Sequence, residues 1–144
     1  MSQKNILFDL NGVLFSLERD EDTLLIPIDE GIELLYECHS HEKGHQLFIC
    51  SNIGPRYLDY LHTKHAHIMV LFKGIITPDV VGIKKPHPDF FSYLLDRYEL
   101  KPEETILLDD QDLNIKAVEL LGITGIHVTN FDEVRHSLKQ LDIL

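Results

Sequence analysis

Several features are scarce in this 144-residue sequence. It has no tryptophan, only two cysteines (Cys38 and Cys50), and 13 lysines and arginines against 24 aspartates and glutamates. Two cysteines are too few for a disulfide framework or, on their own, for a zinc site. The net charge of −11 argues against nucleic-acid binding, which needs a basic face. The same charge repels anionic substrates, so any phosphate site must carry positive charge of its own.

Long apolar runs are also missing. No stretch approaches the roughly 20 residues of a membrane helix. Asp9 and Asn11 interrupt the apolar N-terminal segment before it reaches the length of a signal region. We therefore expect a cytoplasmic protein with no membrane partner. Hydrophobic residues still make up 44% of the chain, which is enough for a buried core, and the length predicts one domain over residues 1–144.

Strand-like and helix-like segments alternate along the chain. Short apolar runs predict strands at Lys4–Leu10, Gln46–Cys50, Thr105–Leu108 and Thr124–Val128. Apolar residues at helical spacing predict helices at Ile28–Lys43, Pro55–His65, Pro86–Tyr98, Asn114–Leu121 and Phe131–Leu141. The segment His67–Thr77 holds two further apolar runs, and the charged run Glu18–Asp22 predicts a solvated loop. This alternation predicts an α/β fold with a parallel sheet and helices on both faces.

Reactive side chains follow three of the predicted strands. They are Asp9 and Asn11, Ser51 and Asn52, and Asp109 and Asp110, and the lysine pair Lys84-Lys85 precedes a helix. Ligands of parallel sheets bind outside the carboxyl ends of the strands, so we expect these groups around one crevice. Clustered carboxylates favour a hard cation such as magnesium, which works beside substrate phosphates. A lysine and a metal together neutralise a transferring phosphoryl group, and an ionised aspartate can act as the nucleophile.

Four segments resemble, in order, the four motifs of the haloacid dehalogenase (HAD) superfamily of phosphohydrolases. They are ILFDLNGVLF, FICSNIG, GIKKPHPDFF and ILLDDQDLNIKAVELLGI, and they span Ile6 to about Ile123. Each lies at a predicted strand end or helix start, which makes the ordered set far more specific than any one motif. The resemblance implies a three-layer, Rossmann-like parallel sheet without a cap domain, and a magnesium-dependent phosphatase.

The resemblance also implies catalytic and substrate-binding roles. Asp9 would be the nucleophile that forms an aspartyl-phosphate, and Asn11 occupies the position of the family's general acid/base. Ser51, with Asn52 beside it, would contact the phosphoryl oxygens. The functional lysine of the family directly precedes the proline, which points to Lys85 as the group that balances the phosphoryl charge.

The metal site that the resemblance implies takes its ligands from two motifs. Asp9 would bind Mg2+ through its carboxylate and Asn11 through its backbone carbonyl. Asp110, together with Asp109, would complete the site. Asn114 would hold this acidic loop in position without binding the metal itself.

Asn11 is the one departure from the family pattern. In the family an aspartate at this position protonates the leaving group and later activates the hydrolytic water, and an amide cannot do this acid–base work. Three interpretations stay open: a slow or altered phosphatase, a catalytically inactive phosphate- or protein-binding domain, and a substitution introduced to trap an intermediate. A dehalogenase is disfavoured, because those enzymes lack the acidic pair seen here at Asp109-Asp110.

The spacing of the motifs leaves no room for a cap domain. The intervals between Asp9 and Ser51 and between Ser51 and Lys85 are filled by predicted elements, and the spare segment Glu18–Pro27 is enough only for a flap. The resemblance therefore implies an open site that takes a phosphorylated small molecule or macromolecule. Capless relatives also gain a lid by oligomerising, so a homo-oligomer stays open.

Nine histidines raise the question of a second metal site. Six of them form two groups, His39, His41 and His45 in one and His62, His65 and His67 in the other. No cysteine or carboxylate set completes a zinc site around either group, so we expect surface or helix-end residues. Cys50, beside Ser51, is expected to be a small buried hydrophobe.

Overall fold

The structure is a computed structural model that describes residues 3–18 and 24–144. Its strands are β1 (Asn5–Phe8), β2 (Phe15–Leu17), β3 (Leu25–Pro27), β4 (Gln46–Cys50), β5 (Gly74–Ile76), β6 (Thr105–Asp109) and β7 (Thr124–His127). Its helices are α1 (Asp29–Ser40), α2 (Pro55–Lys64), α3 (Ala66–Met69), α4 (Pro78–Val81), α5 (Pro88–Tyr98), α6 (Asp112–Glu119) and α7 (Phe131–Gln140), with a 3₁₀ turn at Pro102–Glu104.

Five strands form one parallel sheet in the order β5-β4-β1-β6-β7. The central strand β1 is buried along its length, and its side chains alternate between two apolar cores. Ile6 and Phe8 join the core that α1, α2 and α7 cover, whereas Leu7 joins the core that α5 and α6 cover. The predicted three-layer α/β architecture is confirmed.

A small antiparallel hairpin follows β1 along the chain. Its strands β2 and β3 pair Phe15 with Pro27 and Leu17 with Leu25. The sequence predicts a flap in this segment but not its strands, because runs of three residues are too short for a periodicity signal. The loop predicted over Glu18–Asp22 falls mainly on residues 19–23, which lie outside the described residues.

Other segments also differ from the sequence-based expectation. The first apolar run of His67–Thr77 forms the short helix α3 and the turn after it, and only the second run forms a strand, β5. Short apolar runs do not distinguish a buried helix from a buried strand, which explains the ambiguity. Helix α1 ends at Ser40 instead of Lys43, and α4 has no counterpart among the predicted elements.

His45 corrects the expectation that the grouped histidines lie on the surface. It is buried, and its ring joins the two ends of the chain. The backbone N–H of Lys4 donates to Nδ1 over 3.0 Å, and Nε2 lies 2.8 Å from the carbonyl oxygen of Ile143. Because Nδ1 accepts, Nε2 carries the proton and donates, so the ring is neutral.

Both cysteines are free and buried, as expected for Cys50. None of the helices in residues 3–18 and 24–144 combines the length and apolar character that a membrane crossing requires.

Candidate active site at the carboxyl edge of the sheet

The register of the sheet gathers the predicted residues at one edge. Phe8, the last residue of β1, pairs with Ile49 of β4 and with Leu108 of β6. The residues that follow these strands therefore emerge side by side. The backbone N–H of Asp9 continues the ladder by donating to the Leu108 carbonyl over 3.0 Å. The strand order reverses at β1, which is where parallel sheets open a crevice for ligands.

Asp9 lies almost buried at the base of this crevice. Its Oδ1 accepts hydrogen bonds from the backbone N–H of Leu10 over 2.9 Å and from Nζ of Lys85 over 3.1 Å. Burial raises the pKa of Asp9 to about 7 although Lys85 favours the ionised form, and the charges of Asp109 and Asp110 add to the rise. Asp9 is thus a carboxylate whose ionisation depends on the cations around it.

Lys85 is a buried ammonium that connects the acidic residues. Its Nζ donates to Asp9 Oδ1 over 3.1 Å, to Asp109 Oδ2 over 2.8 Å and to the Cys50 carbonyl over 2.8 Å. All three donors of the ammonium are therefore used. Burial alone would lower the pKa of Lys85, but the charges of Asp9 and Asp109 outweigh burial and raise it. The neighbouring Lys84 is exposed.

Asn52 fixes the backbone of Lys85. Its Oδ1 accepts from the Lys85 N–H over 2.8 Å, and its Nδ2 donates to the Lys85 carbonyl over 3.0 Å. This reciprocal pair joins the loop after β4 to the segment before α5, which are 33 residues apart. The predicted contact of Asn52 with a substrate stays a prediction.

Asp109 is fully buried and anchors the loop after β6. Its Oδ2 accepts from Lys85 Nζ and, over 3.0 Å, from Asn114 Nδ2. Its Oδ1 accepts from the backbone N–H of Gln111 over 2.9 Å. Asn114 therefore makes the kind of contact expected of a residue that supports the acidic loop.

Asp110 is oriented differently from its neighbour. It is half-buried, and its Oδ1 has no hydrogen-bond partner among the residues that the structure describes, although it is shielded from solvent. Burial and the charge of Asp109 raise the pKa of Asp110. Gly12 lies so close that a β-carbon there would collide with the Asp110 carboxylate, and its φ of +89° also favours glycine.

Asp9, Asp109 and Asp110 each offer an oxygen within 4.8 Å of the others. Three carboxylates so close repel one another, and Lys85 supplies a single compensating charge. Oxygen donors at this spacing suit a hard divalent cation. Asp110 Oδ1, shielded from solvent and without a hydrogen-bond partner among the described residues, is an oxygen that such a cation could use as a ligand.

Ser51 and Asn11 flank the carboxylates. Ser51 is buried, and its Oγ accepts from the backbone N–H of Ile53 over 3.1 Å, a bond that does not use the hydroxyl proton. Asn11 is exposed, and its Oδ1 accepts from the backbone N–H of Leu17 over 3.2 Å. The Asn11 side chain thus ties the strand-end loop to the β2–β3 hairpin.

The crevice is a cavity of about 460 Å³. The predicted residues that line it are Asp9, Asn11, Ser51, Asn52, Lys85, Asp110 and Asn114, whereas Asp109 lies beneath them. Sequence reasoning missed its apolar lining, which includes Leu17, Leu25, Ile53, Tyr57 and Leu113. Sequence reasoning also missed that residue 12 must lack a β-carbon to make room for the Asp110 carboxylate. The Asn11-Gly12 pair is a turn signal, but it carries no sign that Asp110 approaches from the end of β6.

The model of the haloacid dehalogenase-like hydrolase family matches residues 18–122. This range contains Ser51, Lys85, Asp109 and Asp110 and begins after Asp9 and Asn11. The match therefore covers three of the four motif segments. It does not reach position 11, so it carries no information on the asparagine that stands there in place of the family's aspartate.

Two curated relatives are phosphatases. A sesquiterpene phosphatase of Aspergillus oryzae is 28% identical over 99 residues, which are 69% of this chain and 50% of that protein. A glyceraldehyde 3-phosphate phosphatase of Methanocaldococcus jannaschii is 40% identical over 58 residues, 40% of this chain and 25% of that protein. The chain thus spans half the length of the first relative and a quarter of the second.

Solved structures share the fold. A HAD family enzyme of Bacteroides thetaiotaomicron, crystallised with magnesium and inorganic phosphate, superposes with a TM-score of 0.76 at 15% identity. The superposition covers 92% of this chain and 99% of that one. At this identity the likeness establishes the arrangement of strands and helices and nothing finer.

Proposed function

The chain belongs to the haloacid dehalogenase-like hydrolase family, and on that premise we propose that it is a magnesium-dependent phosphohydrolase that forms an aspartyl-phosphate at Asp9. The observation that carries the proposal is the placement of Asp9 and Asp110, with Lys85 between Asp9 and Asp109, at the base of one cleft. Family membership supports hydrolysis, and the phosphatase relatives support a phosphorylated small molecule as the substrate. A macromolecular substrate is a second class to test.

We assign the magnesium ligands to Asp9, Asp110 and the backbone carbonyl of Asn11. The unpartnered Oδ1 of Asp110 supports this choice. Asp109 is better suited to hold Lys85, because its two oxygens already accept three hydrogen bonds. The proposed ligand set therefore leaves out Asp109, which the sequence-based expectation had included as a ligand. When bound, the ion would add the positive charge that offsets the phosphoryl oxygens.

The first chemical step would use the ionised form of Asp9. A carboxylate oxygen of Asp9 forms a bond to phosphorus while the bond from phosphorus to the leaving-group oxygen breaks, and that oxygen, where it needs a proton, takes one from water. Lys85 favours this step because its ammonium stabilises the ionised Asp9 and stands beside the incoming phosphoryl group. The hydroxyl of Ser51 would donate to a phosphoryl oxygen. Water then cleaves the aspartyl-phosphate and restores Asp9.

Asn11 would limit the rate of both steps. Its amide neither gives a proton to the leaving group nor takes one from the attacking water. Loss of such a general acid/base costs roughly 10²–10⁴ in rate. We therefore expect a slow enzyme whose best substrates have leaving groups that need no proton.

A catalytically inactive phosphate- or protein-binding domain is the second candidate function. The observation that favours it is the bond from the Leu17 N–H to Asn11 Oδ1, because it gives the amide a structural use in the hairpin. In this alternative the carboxylates, Lys85 and Ser51 would hold a phosphate without turning it over.

Turnover of 4-nitrophenyl phosphate with magnesium separates the two functions. We expect slow hydrolysis that Asp9→Ala abolishes and that the matched change Asp112→Ala leaves intact, since Asp112 is an exposed acid paired with Lys116. If neither the protein nor its Asn11→Asp variant hydrolyses any phosphate ester, the enzyme proposal fails.

The proposal also covers the domain organisation, the location and the oligomeric state of the protein. We propose one capless domain, in which the β2–β3 hairpin beside the cleft is the flap, and a cytoplasmic location. A homo-oligomer that lends a lid to the cleft is compatible with the proposal and is tested by measuring the mass of the protein in solution.

A further inference from the structure

We propose that the substrate is a phosphate monoester whose leaving group is uncharged and apolar, such as a hydrocarbon chain. The inference rests on the proposed phosphohydrolase function, because it concerns the part of the same cleft that the phosphoryl group would leave free.

Apolar side chains reach the cleft from three separate elements. Leu17 and Leu25 come from the hairpin, Ile53 and Tyr57 from the loop before α2 and its first turn, and Leu113 from the first turn of α6. Residues so far apart in sequence reach one cavity only through the tertiary fold. Together they give the cleft an apolar wall beside its carboxylates.

Two of these side chains are exposed to solvent. Leu17 is 44% exposed and Leu113 is 67% exposed. Exposed leucines scattered singly on a surface need no explanation, but two that line one cavity form a shared apolar surface. A hydrocarbon group that entered the cleft would remove this surface, and its own, from water.

The charges of the lining disfavour a second anionic group on the substrate. Among the lining residues that the structure describes, Lys85 is the one lysine or arginine, and its three donors already serve Asp9, Asp109 and Cys50. Asp9 and Asp110 add negative charge to the same lining. A leaving group with a carboxylate or a second phosphate would therefore meet repulsion and no described cation of its own.

Alkylphosphonates test the inference without requiring turnover. Methyl-, butyl- and octylphosphonate carry the same head group, so their affinities, measured by calorimetry with magnesium-loaded protein, differ only through the chain. We expect Kd to fall about threefold to fourfold for each methylene that is buried. Phosphonoacetate, which adds a carboxylate, should bind more weakly than ethylphosphonate.

Leucine variants locate the effect. Leu113→Ser and Leu17→Ser should each reduce the ratio of octyl- to methylphosphonate affinity about tenfold. Leu120→Ser is the matched control, because Leu120 is 89% exposed at the end of α6 and does not line the cleft, so it should keep the ratio. Each result in this direction supports an apolar leaving group.

Two other results have separate meanings. Affinity that does not change with chain length, or a Leu120→Ser effect as large as that of Leu113→Ser, would overturn the inference and leave the proposed function standing. Failure of folded, magnesium-loaded protein to bind even methylphosphonate would overturn the phosphate site itself.

Discussion

Lys85 Nζ lies 2.8 Å from Asp109 Oδ2, and the two side chains are 2% and 0% exposed. Removing one partner of such a pair leaves an uncompensated buried charge, which costs about 3–5 kcal/mol. This relationship makes Lys85 important for the stability of the site as well as for its chemistry. Activity lost on its substitution must therefore be separated from lost stability.

Lys85→Met should lower the free energy of unfolding by about 3–5 kcal/mol and abolish turnover. The double variant Lys85→Met/Asp109→Asn should recover part of the stability, because no unpaired anion remains at Asp109, but none of the activity. Lys84→Met, which changes an exposed lysine, is the control and should retain both. Urea unfolding and initial rates measure the two effects. A double variant as unstable as Lys85→Met would contradict the pairing.

Asn11→Asp should raise turnover by roughly 10²–10⁴, because it restores a group that exchanges protons with the leaving group and water. Initial rates with an alkyl phosphate are the measurement, since this leaving group needs a proton. Asn130→Asp makes the same chemical change at the N-cap of α7 and should leave the rate unchanged. No gain in Asn11→Asp would show that the amide is not what limits the reaction.

Gly12→Ala should weaken magnesium binding at least tenfold, because its β-carbon would displace the Asp110 carboxylate. Backbone strain alone, about 1–2 kcal/mol at a positive φ, would lower stability too. Gly82→Ala controls for strain, since Gly82 has a φ of +83° and a β-carbon there would meet no atom within 4 Å. Calorimetric titration with MgCl2 compares them. Equal magnesium affinities would contradict the role of Gly12.

His45 should make the protein less stable below about pH 6.5. Burial lowers the pKa of His45; the Ile143 carbonyl opposes this, and the nearby His41, Lys43 and Lys4 add to it. The unfolded chain then binds the proton more readily than the native one, so the stabilisation present above about pH 6.5 is lost as the pH falls. Protonating Nδ1 also breaks its bond from Lys4.

Unfolding free energies from about pH 7.5 to about pH 5.5 test this expectation. The loss on acidification should be smaller in His45→Asn than in the unsubstituted protein, because asparagine does not titrate in this range. His39→Asn, at an exposed position of α1, should keep the full loss. The same loss in all three proteins would exclude His45 as its source.

The strand ends were the predictable part of this protein. Asp9, Ser51 and Asp110 follow apolar runs, and parallel strands bring such residues to one edge whatever the details of packing. The alternation of strands and helices likewise predicts the layers correctly. Both inferences depend on local patterns that survive in a single sequence.

The partners of these residues were not predictable, because they are contacts between distant segments. No local pattern links Asn52 to the backbone of Lys85, Gly12 to Asp110, or His45 to both chain ends. The apolar wall of the cleft has the same origin. Leu113 lies in the first turn of α6, directly before the buried residues of that helix. It belongs to a site only because the fold places it in the same cleft as side chains from the hairpin and α2.

In the proposed mechanism, Asp9 accepts a phosphoryl group beside a metal held by Asp110. A crystal structure of the protein with magnesium and beryllium fluoride tests it most directly, because the complex mimics an aspartyl-phosphate whether or not turnover is fast. We expect beryllium bonded to a carboxylate oxygen of Asp9, with magnesium in contact with Asp110 and a fluoride near Lys85. Magnesium bound without Asp110, or beryllium fluoride absent from Asp9, would contradict it.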